Sequence, residues 1–147
     1  MHRRSITAAN LTAAFTKVAA NGGAAGVDHV TVEAFDGQRE ANLAKLQRLL
    51  QDGSYRPQAV RRVWIPKPGS RERRPLGIPT VRDRTVQAAV RHVIEPICER
   101  DCAARTYGSR HGRGCKGALR RVDELLKQGH TWVVDAALKS YSDTLPH

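Results

Sequence analysis

Residues 59–79, AVRRVWIPKPGSRERRPLGIP, contain two short apolar runs on either side of a segment rich in proline, glycine and charge. Residues 63–65 give the first run its apolar content, and Pro66, Pro68 and Gly69 interrupt it. Proline lacks the amide hydrogen that a continuing strand donates, and glycine adopts turn conformations that other residues avoid. The segment therefore predicts a β-hairpin whose two strands flank a charged loop.

Apolar side chains recur at helical spacing on both sides of this hairpin. They predict helices over residues 6–18, 38–51 and 115–128, and a further helix that starts near Thr80 and has the apolar stripe Val86, Val90, Val93 and Ile97. A short apolar run at residues 131–135 predicts a final, buried strand. The order of helix, hairpin, helix, helix and strand indicates the α+β fold class.

Several residues predict where these elements begin and end. Thr80, followed three residues later by Asp83, resembles the capping box that starts a helix. Pro96 is expected to kink that helix or to end it near Glu95. The segment NGGAAG at residues 21–26 interrupts the first helix and is the predicted linker. In the last helix, the predicted buried face consists of Leu119, Val122, Leu125 and Leu126.

Positive charge dominates the composition and is concentrated around the hairpin. The 147 residues contain 25 lysine and arginine side chains against 14 aspartate and glutamate side chains, a formal net charge of +11. Residues 56–91 alone contain ten basic and two acidic side chains. Nearly all the basic ones are arginine, whose planar group pairs with phosphate through two parallel hydrogen bonds, so the segment favours nucleic acid as a partner. The other interpretation is a solvated basic surface that keeps the protein soluble.

Global features exclude some classes of protein. No apolar run approaches the roughly 20 residues needed to cross a bilayer, so no membrane partner is predicted. Three cysteines without a secretory signal indicate a reducing compartment, and the cytoplasm is the predicted location. The N-terminus has no acidic residue before Asp28 and fits either a basic amphipathic helix or an organellar transit peptide. The sequence carries no signal for an oligomeric state.

The string WIPKPGSRERRPLGIPTVRDRTVQAAV closely resembles the fingers region of group II intron-type reverse transcriptases, the maturase-polymerases of bacterial retroelements. The resemblance extends from about Gly26 to the C-terminus and includes GVDHVTVEAF, VIEPI, YGSRHGRG and WVVDAALKSYSDTLPH. It implies an N-terminal helical extension over residues 1–25, fingers over residues 26–130 and the start of the palm over residues 131–147. It also implies an RNA-directed DNA polymerase, a nucleotidyltransferase that uses Mg²⁺ and dNTPs and binds intron or template RNA.

The resemblance also implies roles for individual cations. Lys67, in IPKP, matches a lysine that contacts the phosphates of the incoming nucleotide, and Arg74 matches an arginine that shares this role. The loop is slightly longer than is usual in the family, so Arg73 is a second candidate for that arginine. Two cations on a hairpin can stabilise the charge that grows on a triphosphate during phosphoryl transfer. The other arginines predicted to contact nucleic acid are Arg61, Arg62, Arg82, Arg84, and the pair Arg110 and Arg113, which matches a family turn with a structural or template-facing role.

The closing segment lacks the family's catalytic groups. The catalytic aspartate that precedes LK in the family is replaced by Ala137, which has no oxygen to offer a metal ion. Asp135 is a weak metal candidate, because two residues along a strand place it about 6–7 Å from that position. The aromatic residue that excludes the ribose 2′-hydroxyl is replaced by Ser142, and the family's YxDD pair lies beyond His147. No catalytic residue is therefore intact, and the expected activity is binding of RNA or nucleotide without polymerisation.

The alternative function is a non-catalytic RNA-binding module, with or without zinc. Cys98, Cys102, His111 and Cys115 have the spacing C-x3-C-x8-H-x3-C, which is similar to a short zinc knuckle. However, the eight-residue spacer is shorter than the usual finger loop. Cys98 and Cys102 also fall on or just after an apolar helix face, where thiols behave as small hydrophobic groups. The sequence therefore favours the reverse transcriptase interpretation over a zinc module.

Overall fold

The computed structural model describes residues 7–66, 68–69, 71–110 and 112–138. Within these residues the chain forms five helices and one two-stranded antiparallel sheet, which agrees with the α+β class. The elements are α1 Ala8–Asn21, α2 Val32–Asp36, α3 Arg39–Gln51, β1 Arg61–Pro66, β2 Arg73–Ile78, α4 Val81–Asp101 and α5 Cys115–Lys127. They fall into two compact units, divided between Asp101 and Cys102. None of the described helices is both long and apolar enough to cross a membrane.

Helix α1 contacts each of the other helices of the first unit. Thr7 caps its N-terminus, where the Thr7 hydroxyl accepts a hydrogen bond from the Asn10 amide at 3.3 Å. The buried side chains of α1 follow helical spacing and are Leu11, Ala14, Phe15 and Val18. The rings of Phe15 and Phe35 lie with their centroids 5.0 Å apart in this core. The predicted first helix is therefore confirmed, and it forms part of the core.

Between α1 and the hairpin, apolar spacing predicts α3 but not α2. Helix α2 is five residues long, too short for an apolar repeat to be visible. Its N-terminus is capped by Thr31, whose hydroxyl accepts a hydrogen bond from the Ala34 amide at 3.1 Å. The core residues that α2 and α3 contribute are Val32, Phe35, Leu43 and Leu46.

The glycine-rich segment at residues 21–26 is packed against the start of α4, so the prediction of a linker is wrong. Gly22 ends α1 with a φ of 61°, and its amide donates to carbonyl oxygens in the last turn of that helix. Gly26 lies so close to Thr80 that a Cβ atom there would sit 2.6 Å from the Thr80 Cα atom. Only glycine allows this approach of two backbones, so the segment is a contact surface.

Helix α4 confirms the predicted start and corrects the predicted end. The Thr80 hydroxyl accepts a hydrogen bond from the Asp83 amide at 3.1 Å, as a capping residue does. The helix then continues through Pro96 to Asp101, so the expected end near Glu95 is wrong. Proline removes one intrahelical hydrogen bond, but its fixed φ is compatible with a helix. The helix therefore continues, because the turns on both sides of Pro96 keep their helical conformation.

The predicted hairpin is present, with β1 and β2 paired antiparallel from Arg61 opposite Ile78 to Pro66 opposite Arg73. Most of its side chains are exposed. Neither strand makes an extensive contact with a helix among the described residues, so the hairpin stands out from the helical core. Directly opposed residues of an antiparallel pair lie on the same face, and the register therefore fixes which side chains act together.

In the second unit, the described residues form α5 and flanking segments without helix or strand. The predicted buried face of α5 is wrong, since Leu119 is 62% exposed and Val122 and Leu126 are exposed as well. The predicted strand at residues 131–135 is also wrong, because residues 131–138 carry neither helix nor strand and Trp132 is 97% exposed. An apolar stripe needs a second surface and a strand needs a hydrogen-bonding neighbour, and the described residues of this unit supply neither.

Candidate nucleic-acid interface

The hairpin presents arginines to solvent. Arg62, Arg73 and Arg74 are exposed, and their side chains make no hydrogen bond or ion pair with any described residue. A guanidinium group without intramolecular partners keeps its five donors for a phosphate. Arg61 is half-buried at the start of β1. Lys67 lies outside the described residues, so its role in nucleotide binding stays a prediction.

The register places the two candidates for the nucleotide-contacting arginine on opposite faces of the hairpin. Arg74 is opposite Ile65 and shares a face with Arg61. Arg73 is opposite Pro66 and lies on the other face. The two arginines are therefore not equivalent, because neither can take the place of the other without a change of register.

A buried carboxylate anchors the segment that leads into β1. Asp83, in the first turn of α4, is 3% exposed, and its two oxygens accept hydrogen bonds from the Tyr55 hydroxyl at 2.7 Å and the Gln58 amide at 3.0 Å. Burial alone would raise the pKa of Asp83, but the hydrogen bonds outweigh it, so the pKa of this carboxyl is lowered. Burial, together with the bond to Asp83, raises the pKa of Tyr55 and keeps its hydroxyl a donor. These bonds fix the base of the hairpin to α4.

Two of the arginines predicted to contact nucleic acid hold the first unit together. Arg82 donates to the Arg56 carbonyl oxygen at 2.9 Å, and its guanidinium lies 5.4 Å from the centroid of the Tyr55 ring. Arg84 donates to two carbonyl oxygens of the glycine-rich segment, both at 3.0 Å. This structural role is not visible in the sequence, because each arginine joins segments that are far apart in the chain. A contact of either residue with nucleic acid stays a prediction.

In the second unit, the other two predicted arginines bind the backbone of their own loop. Arg110 donates to the carbonyl oxygens of Ala103 at 2.8 Å and Thr106 at 3.2 Å. Arg113 donates to the carbonyl oxygen of Ala104. These bonds join Arg110 and Arg113 to the backbone of residues 103–106, and a contact with template stays a prediction.

From the sequence alone, Trp64 is expected only to add to the apolar content of β1. Its side chain is 53% exposed. It lies on the same face as Arg62 and Arg73, because it is opposite Pro75 in the register. Trp64 and Arg62 are two residues apart in a predicted strand, and this spacing is the signal in the sequence that places them on one face.

The donor set at the end of the described chain does not fit Mg²⁺. Asp135 is exposed, and Ala137 offers no oxygen. Within the part of the chain that the structure describes, no group of three His, Cys, Asp or Glu side chains lies close enough together to hold a metal ion. A polymerase centre holds two Mg²⁺ ions with several carboxylate oxygens, and Asp135 is the one carboxylate among the described residues 131–138. Ser142, at the position of the aromatic gate, lies outside the described residues.

The cysteines of the proposed zinc motif are exposed and free. Cys98 and Cys102 are thus not buried hydrophobic groups as expected, because the buried residues of α4 all lie in its first half, from Val81 to Ala89. His111 lies outside the described residues. The four-residue zinc motif therefore stays a prediction.

Several curated proteins are similar to this chain, and two of the following three are named as intron proteins. It is 38% identical over 112 residues to the group II intron-encoded protein LtrA of Lactococcus lactis subsp. cremoris, covering 76% of this chain and 18% of that protein. It is 40% identical over 126 residues to protein YkfC of Escherichia coli, covering 83% of this chain and 33% of that protein. A putative COX1/OXI3 intron 1 protein of Saccharomyces cerevisiae is 31% identical over 117 residues, covering 80% of this chain and 14% of that protein. No protein-family model matches the chain.

The chain spans a third or less of the length of these relatives. The matched part nevertheless covers most of the chain, at 76% to 83% of its residues. This similarity agrees with the resemblance carried by the hairpin motif and the segments around it. The chain belongs to the family of group II intron-type reverse transcriptases and maturases.

Proposed function

We propose that this chain is the fingers region of a group II intron-type reverse transcriptase, and that it binds RNA and the phosphates of a dNTP without catalysing polymerisation. In this proposal residues 1–25 are the N-terminal helical extension, residues 26–130 are the fingers and residues 131–147 are the start of the palm. This proposal is supported by the similarity of the chain to intron-encoded relatives. The three free thiols are those expected of a protein of the reducing cytoplasm.

The observation that carries this proposal is the hairpin that stands out from the helical core with exposed arginines. Arg74 is exposed, forms no hydrogen bond or ion pair with any described residue, and shares a face with Arg61. Lys67 follows β1 directly in the sequence, within the loop that joins the two strands. A phosphate that approaches this face meets the exposed guanidinium of Arg74, whose donors no described residue occupies, and free donors of this kind are required for binding a triphosphate or an RNA backbone.

The absence of catalysis in the proposal follows from the chemistry of the closing segment. Polymerases that use two metal ions hold them with several carboxylate oxygens. Ala137 supplies none, and Asp135 is two residues away along the chain. We therefore assign this chain a binding role.

Binding of RNA is tested by the fluorescence anisotropy of a labelled RNA over a series of salt concentrations. The double variant Lys67→Ala with Arg74→Ala is expected to bind more weakly. The slope of log K against log salt should also fall by about 0.7 for each phosphate that the variant no longer neutralises. The matched control is Lys45→Ala with Arg48→Ala, which removes the same charge from exposed positions on α3. Equal losses in the two double variants would show that only total charge matters and would overturn the assignment to the hairpin.

The nucleotide part of the proposal is tested by competition between a dNTP and the corresponding nucleoside. The triphosphate should bind more tightly to the wild-type chain, and this preference should decrease in the double variant. Primer extension with Mg²⁺ and dNTPs should give no product above background. Extension by the purified chain would contradict the proposed loss of catalysis.

A further inference from the structure

The two faces of the hairpin differ in exposure and in chemistry. One face carries Arg61, Ile65 and Ile78, which are all half-buried, together with the aliphatic side chains of Val63 and Leu76. We call the other face the tryptophan face, and all of its residues are exposed. They are Arg62, Trp64, Pro66, Arg73, Pro75 and Gly77. The exposed aromatic ring of the hairpin and two of its exposed arginines are therefore on the same side.

The register sets the spacing of these groups around the indole ring. Arg62 is two residues from Trp64 along β1, which corresponds to about 6–7 Å. Arg73 is the diagonal neighbour of Trp64 on β2, at roughly 7–8 Å. Opposite Trp64 and Arg62 stand Pro75 and Gly77, and neither provides a long side chain that would cover the ring. The ring is thus accessible, with one cation on each strand beside it.

Trp64 has half of its surface in water, although tryptophan is on average a highly buried residue, so its ring is available for contact with a ligand. Nucleobases are flat apolar surfaces that stack on tryptophan, and the phosphates on either side of a base carry the charge that arginine binds. The tryptophan face offers both types of contact within the reach of one nucleotide. The opposite face offers cations but only aliphatic side chains, which do not form a stacking surface of this kind.

We propose that Trp64 is a stacking platform for one unpaired base of RNA, whose neighbouring phosphates bind Arg62 and Arg73. This inference rests on the proposed RNA-binding function and adds a second contact surface on the hairpin, behind the face that carries Arg74. The occupant is single-stranded RNA, because the faces of bases inside a duplex are covered by their own neighbours. The two arginines that lie side by side in β2 then bind different parts of the bound nucleic acid.

The test uses the full chain with Trp132→Phe, so that Trp64 is the source of the tryptophan fluorescence. Titration with a single-stranded RNA should quench this fluorescence, and the same sequence as a duplex should quench it much less. In the wild-type background, Trp64→Ala should weaken binding of single-stranded RNA by roughly 5- to 150-fold, the range measured for loss of one stacked base. Trp64→Phe should lose less, because phenylalanine keeps an aromatic face.

The salt dependence separates stacking from charge. Trp64→Ala should leave the slope of log K against log salt unchanged, whereas Arg62→Ala should reduce it by about 0.7. Trp132→Ala, at an exposed tryptophan of the second unit, is the matched control and should leave the affinity unchanged. Circular dichroism of Trp64→Ala should match that of the wild type, because the side chain lies outside the core.

The outcomes distinguish this inference from the proposed function. If Trp64→Ala binds as the wild type does while Lys67→Ala with Arg74→Ala binds weakly, the stacking platform is wrong and the RNA-binding function stands. An equal loss in Trp132→Ala and Trp64→Ala would also overturn it, because any exposed tryptophan would then suffice. If the wild-type chain binds no RNA, the proposed function fails and the inference fails with it.

Discussion

Helices α1 and α5, one in each unit, have similar apolar spacing, but the apolar face is buried in α1 and exposed in α5. In α1 the side chains of Leu11, Phe15 and Val18 are buried against three other helices. In α5, Leu119, Val122 and Leu126 recur at comparable spacing and are all exposed. An amphipathic pattern therefore specifies which face of a helix is apolar, but burial depends on whether other elements supply a surface of matching shape.

The largest expected effect is the loss of a core side chain in the first unit. Phe15 is fully buried, and its ring packs against that of Phe35 in a tilted arrangement. Phe15→Ala should lower the free energy of unfolding by about 3–5 kcal/mol, through lost burial and the cavity that remains. Urea denaturation followed by far-ultraviolet circular dichroism measures the change. A loss below about 1 kcal/mol, typical of exposed positions, would show that α1 is not the core helix in solution.

A smaller effect is expected from the anchor between α4 and the hairpin, and it depends on pH. The folded chain lowers the pKa of Asp83 below its ordinary value of 3.8. The ionised carboxylate therefore stabilises the fold fully above the pKa of the unfolded chain, at about pH 4. This contribution is lost as the pH falls through the lower pKa of the folded chain. Asp83→Asn should lower the free energy of unfolding at neutral pH by about 1.5–3 kcal/mol, because hydrogen bonds to a buried charge are lost.

The measurement for Asp83→Asn is urea denaturation at neutral pH and again below pH 4, compared with the wild type. The difference between the two proteins should shrink at the lower pH. Asp36→Asn is the control, because Asp36 is an exposed carboxylate paired with Arg39 and should contribute less than about 1 kcal/mol. If both variants lose a similar amount of unfolding free energy, Asp83 does not anchor the hairpin to α4.

Much of the first unit can be predicted from local sequence, because local rules determine its elements. Proline and glycine indicate the hairpin, apolar spacing indicates α1 and α3, and Thr80 indicates the start of α4. The contacts that join these elements cannot be predicted in this way. Tyr55 meets Asp83 across 28 residues, and Arg84 reaches the glycine-rich segment across about 60. Such pairs become visible only when the elements are packed.

The candidate site shows the same limit. Residue type is enough to predict that the arginines bind phosphate, and the resemblance is enough to make Lys67 and Arg74 the candidates for the nucleotide, both of which stay predictions. The face on which each arginine lies depends on the strand register, since a shift of one residue would exchange Arg73 and Arg74. The predicted strand at residues 131–135 is wrong for a related reason. A strand is stabilised by its neighbour, and local sequence does not show whether a neighbour is present.

The smallest expected effect sharpens the comparison between the units at α5. Val122 lies on the exposed apolar face, so Val122→Lys places a charge where it stays hydrated, and lysine has a higher helix propensity than valine. The stability of α5 should change by less than about 0.5 kcal/mol, measured by amide hydrogen exchange of residues 115–127. A comparable charge in the buried stripe of α1 would be unpaired and strongly destabilising. If Val122→Lys instead lowers the free energy of opening of α5 by more than about 1 kcal/mol, the apolar face of this helix is covered in solution. The apolar faces of α1 and α5 would then both be buried.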